Sequence, residues 1–151
     1  MAVALMFGLR SLVVSVHSVE GNGLAPLFTS GDRILVNRCS YGIRVGGSRL
    51  LPYSRLARRG VDRGDVVAFH SPVDSIGGLL VARCKAVPGD TIHTADGLLV
   101  IPGRKQCAKA DYYWMEAVNR NNPVDSRHLG LISEEFIVGR VETLLFQWPP
   151  R

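Results

Sequence analysis

The chain has 151 residues, 46% of them hydrophobic, and a formal net charge of +5. This is the length of one domain with enough apolar content for a real core, which excludes wholesale disorder. Three cysteines (Cys39, Cys84, Cys107) lack metal-ligand spacing, and four histidines (His17, His70, His93, His128) are dispersed. No metal site, no cofactor and no full disulfide framework are expected, while one bridge stays open for an oxidising compartment.

In chain order, residues 1–10 form a short apolar N-terminal segment, Met1 to Leu9 closed by Arg10, and residues 11–151 form one domain. Nine apolar residues are too few for a hydrocarbon core that takes about twenty. The segment reads either as a trimmed membrane anchor or as a stretch that dips into the membrane interface. Predicted strands follow at Leu12–Val19, Arg33–Asn37, Asp65–Phe69, Leu79–Ala86, Gly97–Ile101, Tyr112–Glu116, Phe136–Val141 and Thr143–Trp148. They are rich in Val, Ile, Leu and aromatic residues and are separated by Gly, Pro, Asp and Asn. Pro88-Gly89-Asp90 and Asp96-Gly97 are turn formers. No long segment has a helical period, so a mostly β, barrel-like domain with few short helices is expected.

Arginines concentrate at Arg44, Arg49, Arg55, Arg58, Arg59 and Arg63, among Gly46-Gly47 and Pro52. They read as a solvated turn-rich loop or as a contact for anionic lipid headgroups, each charge contributing about 1 kcal/mol near a membrane surface. Nucleic acid is not an expected partner, because neither an aromatic platform nor a helix-turn-helix pattern accompanies the charge.

Four segments carry a resemblance. Val19-Glu20-Gly21-Asn22-Gly23-Leu24-Ala25-Pro26, then Gly31-Asp32 and the strand Arg33–Val36, resembles the nucleophile segment of type I signal peptidases. These are membrane-bound serine/lysine proteases that remove leader peptides. Gly64–Phe69 resembles the family's Gly-Asp strand, and Val81–Asp90 resembles its lysine segment, with Arg83 matching the family arginine and Pro88-Gly89-Asp90 the closing turn. Asn119–Arg127, followed by Gly130 and Gly139-Arg140, resembles the last motif, with Asp125, Ser126 and Arg127 in place. The resemblance implies a signal peptidase-like β-barrel or sandwich core in minimal form, since the span from Asp90 to Asn119 is short.

The chemistry departs from the family. Gly23 stands at the nucleophile serine, Leu24 at its methionine and Ala82 at the general-base lysine. Ala117, Val118 and Pro123 replace further motif residues, a spread that points to natural divergence rather than to a single inactivating change. A serine becomes nucleophilic when a base takes its proton, and a lysine is that base when burial leaves it neutral. Without both, turnover falls by about six orders of magnitude. No catalytic residues are therefore expected. Strand alternation puts Cys84 on the face of Ala82 and turns Lys85 away, unless a bulge shifts the register. Ser18 lies on the face opposite position 23, and Thr29 and Ser30 read as turn formers.

The family binds its leader peptide between two strand edges, which map here to Val16, Ser18, Val19, Gly21 and Asn22 on one side and Leu79, Leu80 and Val81 on the other. Main-chain strand addition survives loss of the dyad. Pro26, Gly31, Asp32, Arg83, Pro88, Gly89, Asp90 and Asp125–Arg127 are expected to hold the frame. The expected function is binding of leader or exported peptides, or association with active signal peptidases or secretion machinery, at the outer face of a bacterial-type plasma membrane. The alternative is an active peptidase with a displaced nucleophile or base, with Lys85, Cys84 and Ser18 as the candidates.

Overall fold

The computed structural model describes residues 13–19, 29–46, 51–73, 77–106, 109–117 and 124–146, the last four by backbone alone. The strands are β1 (Val14–Ser18), β2 (Arg33–Asn37), β3 (Ile43–Val45), β4 (Ser54–Leu56), β5 (Val66–His70) and β6 (Leu79–Ala86), then β7 (Thr91–Thr94), β8 (Gly97–Val100), β9 (Tyr112–Glu116), β10 (Ile132–Ser133) and β11 (Ile137–Phe146). One short helix, α1, spans Ser126–Leu129. Seven strands form one antiparallel sheet in the order β1-β2-β11-β5-β6-β9-β10, and β3–β4 and β7–β8 are separate ribbons. The mostly β architecture is the one expected from the sequence.

The differences are local. Phe136–Val141 and Thr143–Trp148 were expected as two strands; β11 runs through both as far as Phe146, absorbing register shifts at Val141/Thr143 and Leu144/Phe146. Residues 147 and 148 lie outside the described residues. The ribbon β3–β4 occupies the arginine-rich stretch expected as a loop, and β7 and β10 were not anticipated.

The sheet separates two apolar cores. One face of β5 and β6 contributes Val67, Phe69, Leu80, Ala82 and Cys84, packed with Tyr113, Met115, Ile132 and Ile137. The other contributes Ala68, Leu79 and Val81, packed with Val19, Ile34, Val36 and Val141. Both faces of β6 are covered, which is why its apolar residues run on without alternation before Arg83. Each fully buried Val, Leu or Phe contributes about 1.5–3 kcal/mol.

Three Gly-Asp turns are built alike. Gly31, Gly64 and Gly89 have φ of +94°, +90° and +94°, values that L side chains rarely adopt. The aspartate after each one closes a two-bonded clip on the residue three before it. Thr29 N–H donates to Asp32 Oδ2 at 2.8 Å and Asp32 N–H to Thr29 O at 3.1 Å. Asp62 and Asp65 repeat this at 3.2 Å in both directions. Val87 and Asp90 do so at 2.9 and 3.0 Å. The clips open β2, β5 and β7.

Candidate functional site: two strand edges over a shared core

The expected peptide-binding positions divide by backbone direction. Cys84 N–H donates to Asp65 O and Gly64 N–H to Cys84 O, both at 2.8 Å. Even-numbered residues of β6 therefore turn their backbone groups toward β5, and Leu79, Val81 and Arg83 turn theirs away. On that far side β9 begins its ladder at Arg83, opposite Glu116. Among the described residues, the Leu79–Val81 edge has no strand beside it.

β1 is the outer strand of the sheet. Val13 O accepts from Arg38 N–H, and Val19 exchanges backbone bonds with Asp32 and Gly31. Alternation then points the backbone groups of Val16 and Ser18 outward. Val19, Leu79 and Val81 share one core with Ala68. Among the described residues, two strand edges without a neighbouring strand thus border one apolar floor. Leu80 and the side chain of Ala82 belong to the opposite core, and Gly21, Asn22, Gly23, Leu24 and Pro26 lie outside the described residues.

Position 82, the place of the family's lysine, is 1% exposed and closed in by apolar neighbours. Two residues on, burial pushes the Cys84 thiol up to about 12, with Asp65, Asp90 and Asp62 acting in the same direction. It is a protonated thiol at neutral pH, with its Sγ against Ala86 O at 3.6 Å. A register shift between Cys84 and Ala86 does fall at Lys85. Lys85 is nonetheless exposed, and lines a cleft of about 860 Å³ with His93, Trp114, Glu116 and Arg127. Ser18 is exposed and sits opposite Arg33 in the β1–β2 ladder. Thr29 serves in the first clip.

The last motif acts as a seal. Asp125 is fully buried and caps α1. Its Oδ2 accepts Ala117 N–H at 2.8 Å, its Oδ1 accepts Arg127 N–H at 2.9 Å, and the Arg127 guanidinium binds it through Nε and Nη2. Ser126 Oγ accepts Met115 N–H at 2.8 Å. β10 covers the outer edge of β9 at Tyr112 and Tyr113, and the Ser126 and Asp125 side chains take over at Met115 and Ala117. Burial alone would raise the Asp125 carboxyl, but the Arg127 guanidinium and the two N–H donors more than offset this and hold it below the usual range. Asp90 is likewise held low by Arg63 and by Val87 N–H.

Two buried polar groups escaped sequence reasoning because their partners are distant in sequence. Tyr41 O–H donates to Asp65 Oδ2 at 2.9 Å, and burial with this bond raises the phenol well above its ordinary value. Glu134 pairs with Arg58 and Arg104 at 3.5 and 2.7 Å. Among the described residues no helix is long and apolar enough to cross a membrane.

Known proteins bear on this arrangement. A family model described as "Signal peptidase, peptidase S26" matches residues 1–112. The chain is 23% identical over 172 residues to a signal peptidase I of Leptolyngbya laminosa, covering 99% of this chain and 76% of that protein. It is 25% identical over 182 residues to a signal peptidase IB of Staphylococcus aureus (strain N315), covering 98% and 85%. The chain belongs to the signal peptidase family, peptidase S26.

Proposed function

We propose that this family member is catalytically deficient and binds leader or exported peptides by strand addition between β1 and β6, at the outer face of a bacterial-type plasma membrane. It acts there on its own or beside active signal peptidases and secretion machinery. The observation that carries the reading is the pairing of open edges at Val16/Ser18 and Leu79/Val81 with alanine, a side chain that cannot accept a proton, at position 82. Backbone edges bind an extended peptide through main-chain hydrogen bonds, and side-chain chemistry is not required for this. The displaced-nucleophile alternative is the weaker one, since Cys84 is a buried protonated thiol and Lys85 faces the opposite side.

The test is a leader peptide offered to the unaltered chain and to the double variant Gly23→Ser, Ala82→Lys, with binding and cleavage both measured. Saturable binding without cleavage by the unaltered chain is the expected result, and cleavage by the double variant would locate the bound peptide at the family's own cutting position. Cleavage by the unaltered chain overturns the deficiency. Absence of peptide binding by the unaltered chain overturns the strand-addition reading.

A further inference from the structure

The apolar floor between the β1 and β6 edges ends in a basic hollow. On β1 the floor residue Val19 shares its face with His17 and Ser15, and on β5 Ala68 shares its face with His70. His70 stands opposite Leu79, the first residue of β6. Val138, which packs against the floor's core, also lines a hollow of about 360 Å³ with Val13, Ser15, His17, Arg38 and His70. Four antiparallel pairings separate β1 from β6, so the two strands run in the same direction. The hollow therefore lies at the start of both strands, and Val19 and Ala82 lie further along.

The charges in this hollow are of one sign. Arg44 and Cys39 complete its titratable lining, and no Asp or Glu belongs to it. Burial first, and then the charges of Arg38 and His70, push the His17 imidazole below its ordinary value. Among the described residues, no ion pair joins Arg38, His17 or His70 to an acidic side chain. Ser15 Oγ lies 2.8 Å from His17 Nε2, and His70 Nδ1 lies 3.4 Å from Gly78 O. An anion placed here would offset the repulsion between the three cationic groups. Once His17 is protonated, its Nε2–H donates to Ser15 Oγ, and the Ser15 hydroxyl proton is released to the anion. A peptide laid along these edges supplies such an anion as a side-chain carboxylate, which a guanidinium binds through paired N–H donors.

We propose that the hollow is a subsite for an acidic residue of the bound peptide, whose carboxylate meets Arg38, His17 and His70, so that peptides carrying Asp or Glu at that place are preferred. This rests on the strand-addition reading above and adds a side-chain preference to it. A bound carboxylate favours the protonated imidazole, so the preference grows as pH falls from about 8 toward about 5. It is lost near the peptide's own carboxyl value of about 4.

The experiment measures binding of two sets of leader peptides to the full chain, one with a single Glu at each successive position and one with Gln there instead. At one place Glu should tighten binding roughly tenfold near pH 6. Arg38→Gln should bring that ratio close to one, and Arg38→Glu should turn the preference to Lys at the same place. Arg38 is exposed, and unchanged denaturation profiles establish that both variants fold. His17→Gln should flatten the rise of the ratio toward low pH, and a ratio that never moves with pH in the unaltered chain overturns the part given to the histidines. Equal binding of the Glu and Gln peptides at every position overturns the proposal and leaves strand addition standing. Shifts of the His17 and His70 ring resonances by inorganic phosphate would then assign the hollow to a free anion. A Glu preference that Arg38→Gln leaves intact overturns it as well. Binding of neither set overturns strand addition, and this subsite with it.

Discussion

Val81 and Ala82 are adjacent in β6, yet their side chains lie in different cores. Val81 packs with Val19 and Ala68, and Ala82 packs with Cys84 and Met115. The floor between the two edges and the position that matches the family's lysine are therefore built separately. A change at 82 reaches the Leu79–Val81 edge through the backbone of β6, and the apolar floor keeps its side chains.

A lysine placed at position 82 would be a buried amine. Burial depresses its pKa, so at neutral pH folding must expel either a proton or the side chain. Ala82→Lys is expected to lower stability at pH 7 by about 3 kcal/mol. Folded and unfolded states both hold the neutral amine once pH passes lysine's ordinary value, so the deficit against the unaltered chain should shrink steadily from pH 7 to 10. Urea denaturation of both proteins across that range is the check, and a pH-independent deficit would attribute the loss to crowding alone.

Strand addition makes a prediction about the ligand. Antiparallel or parallel pairing uses the N–H groups of every second residue of an added strand. A peptide held between β1 and β6 donates to one edge with residues of one parity and to the other edge with the rest, so leader peptides N-methylated at alternate residues should bind about tenfold more weakly or worse in either phase. Undiminished binding in one phase would show pairing with a single edge, and undiminished binding in both would rule out strand addition.

Asp125→Asn keeps an oxygen for Ala117 N–H but removes the charge that Arg127 faces. The cost is expected at about 2 kcal/mol near neutral pH, discounted for the partly exposed guanidinium. The sign with pH follows from the depressed carboxyl. Its contribution is complete above the ordinary aspartate value near 3.9 and is lost as pH falls through its lower folded value. The gap between the two proteins should therefore close below about pH 4, which acid titration of the unfolding midpoint would show.

Cysteine labelling separates the two described thiols. Cys39 is partly exposed and Cys84 is buried with its pKa pushed up to about 12. Iodoacetamide at pH 8 should modify Cys39 in the folded protein and leave Cys84 untouched until denaturant is added, as read by peptide mass mapping. Rapid native labelling of Cys84 would reopen it as a nucleophile.

Gly89→Ala tests the clips. The position has φ +94°, and an added Cβ would lie 3.2 Å from Gln106 Nε2. The expected cost is about 1 kcal/mol, with the strands intact. No change in stability would argue that the turn relaxes into another type.

Much of the sheet was legible in the sequence. β2, β6 and β9 run between the residues that the Val, Ile, Leu and aromatic runs marked, because breakers stand at their ends. β3 and β4 were hidden, since three-residue strands with one arginine each offer too little alternation among glycines and prolines. Thr91–Thr94 has one aliphatic residue and joins β8 through turn geometry, and two-residue β10 leaves no pattern. No breaker separates Val141 from Thr143, so one long strand formed where two were expected. For the site, motif order pointed to the β1 and β6 edges. It could not separate Val81 from Leu80 in backbone direction, because that depends on which neighbour β6 pairs with first.

The Gly64-Asp65 clip fixes more than a turn. Val67 and Ala68 are both fully buried, one in each core. A slip of one residue at the start of β5 would exchange them and pass the exchange to β6 across the ladder. The two bonds between Asp62 and Asp65 thus work as a phase marker for β5 and β6: they set which of the two cores each side chain of this strand pair enters, Val81 among them.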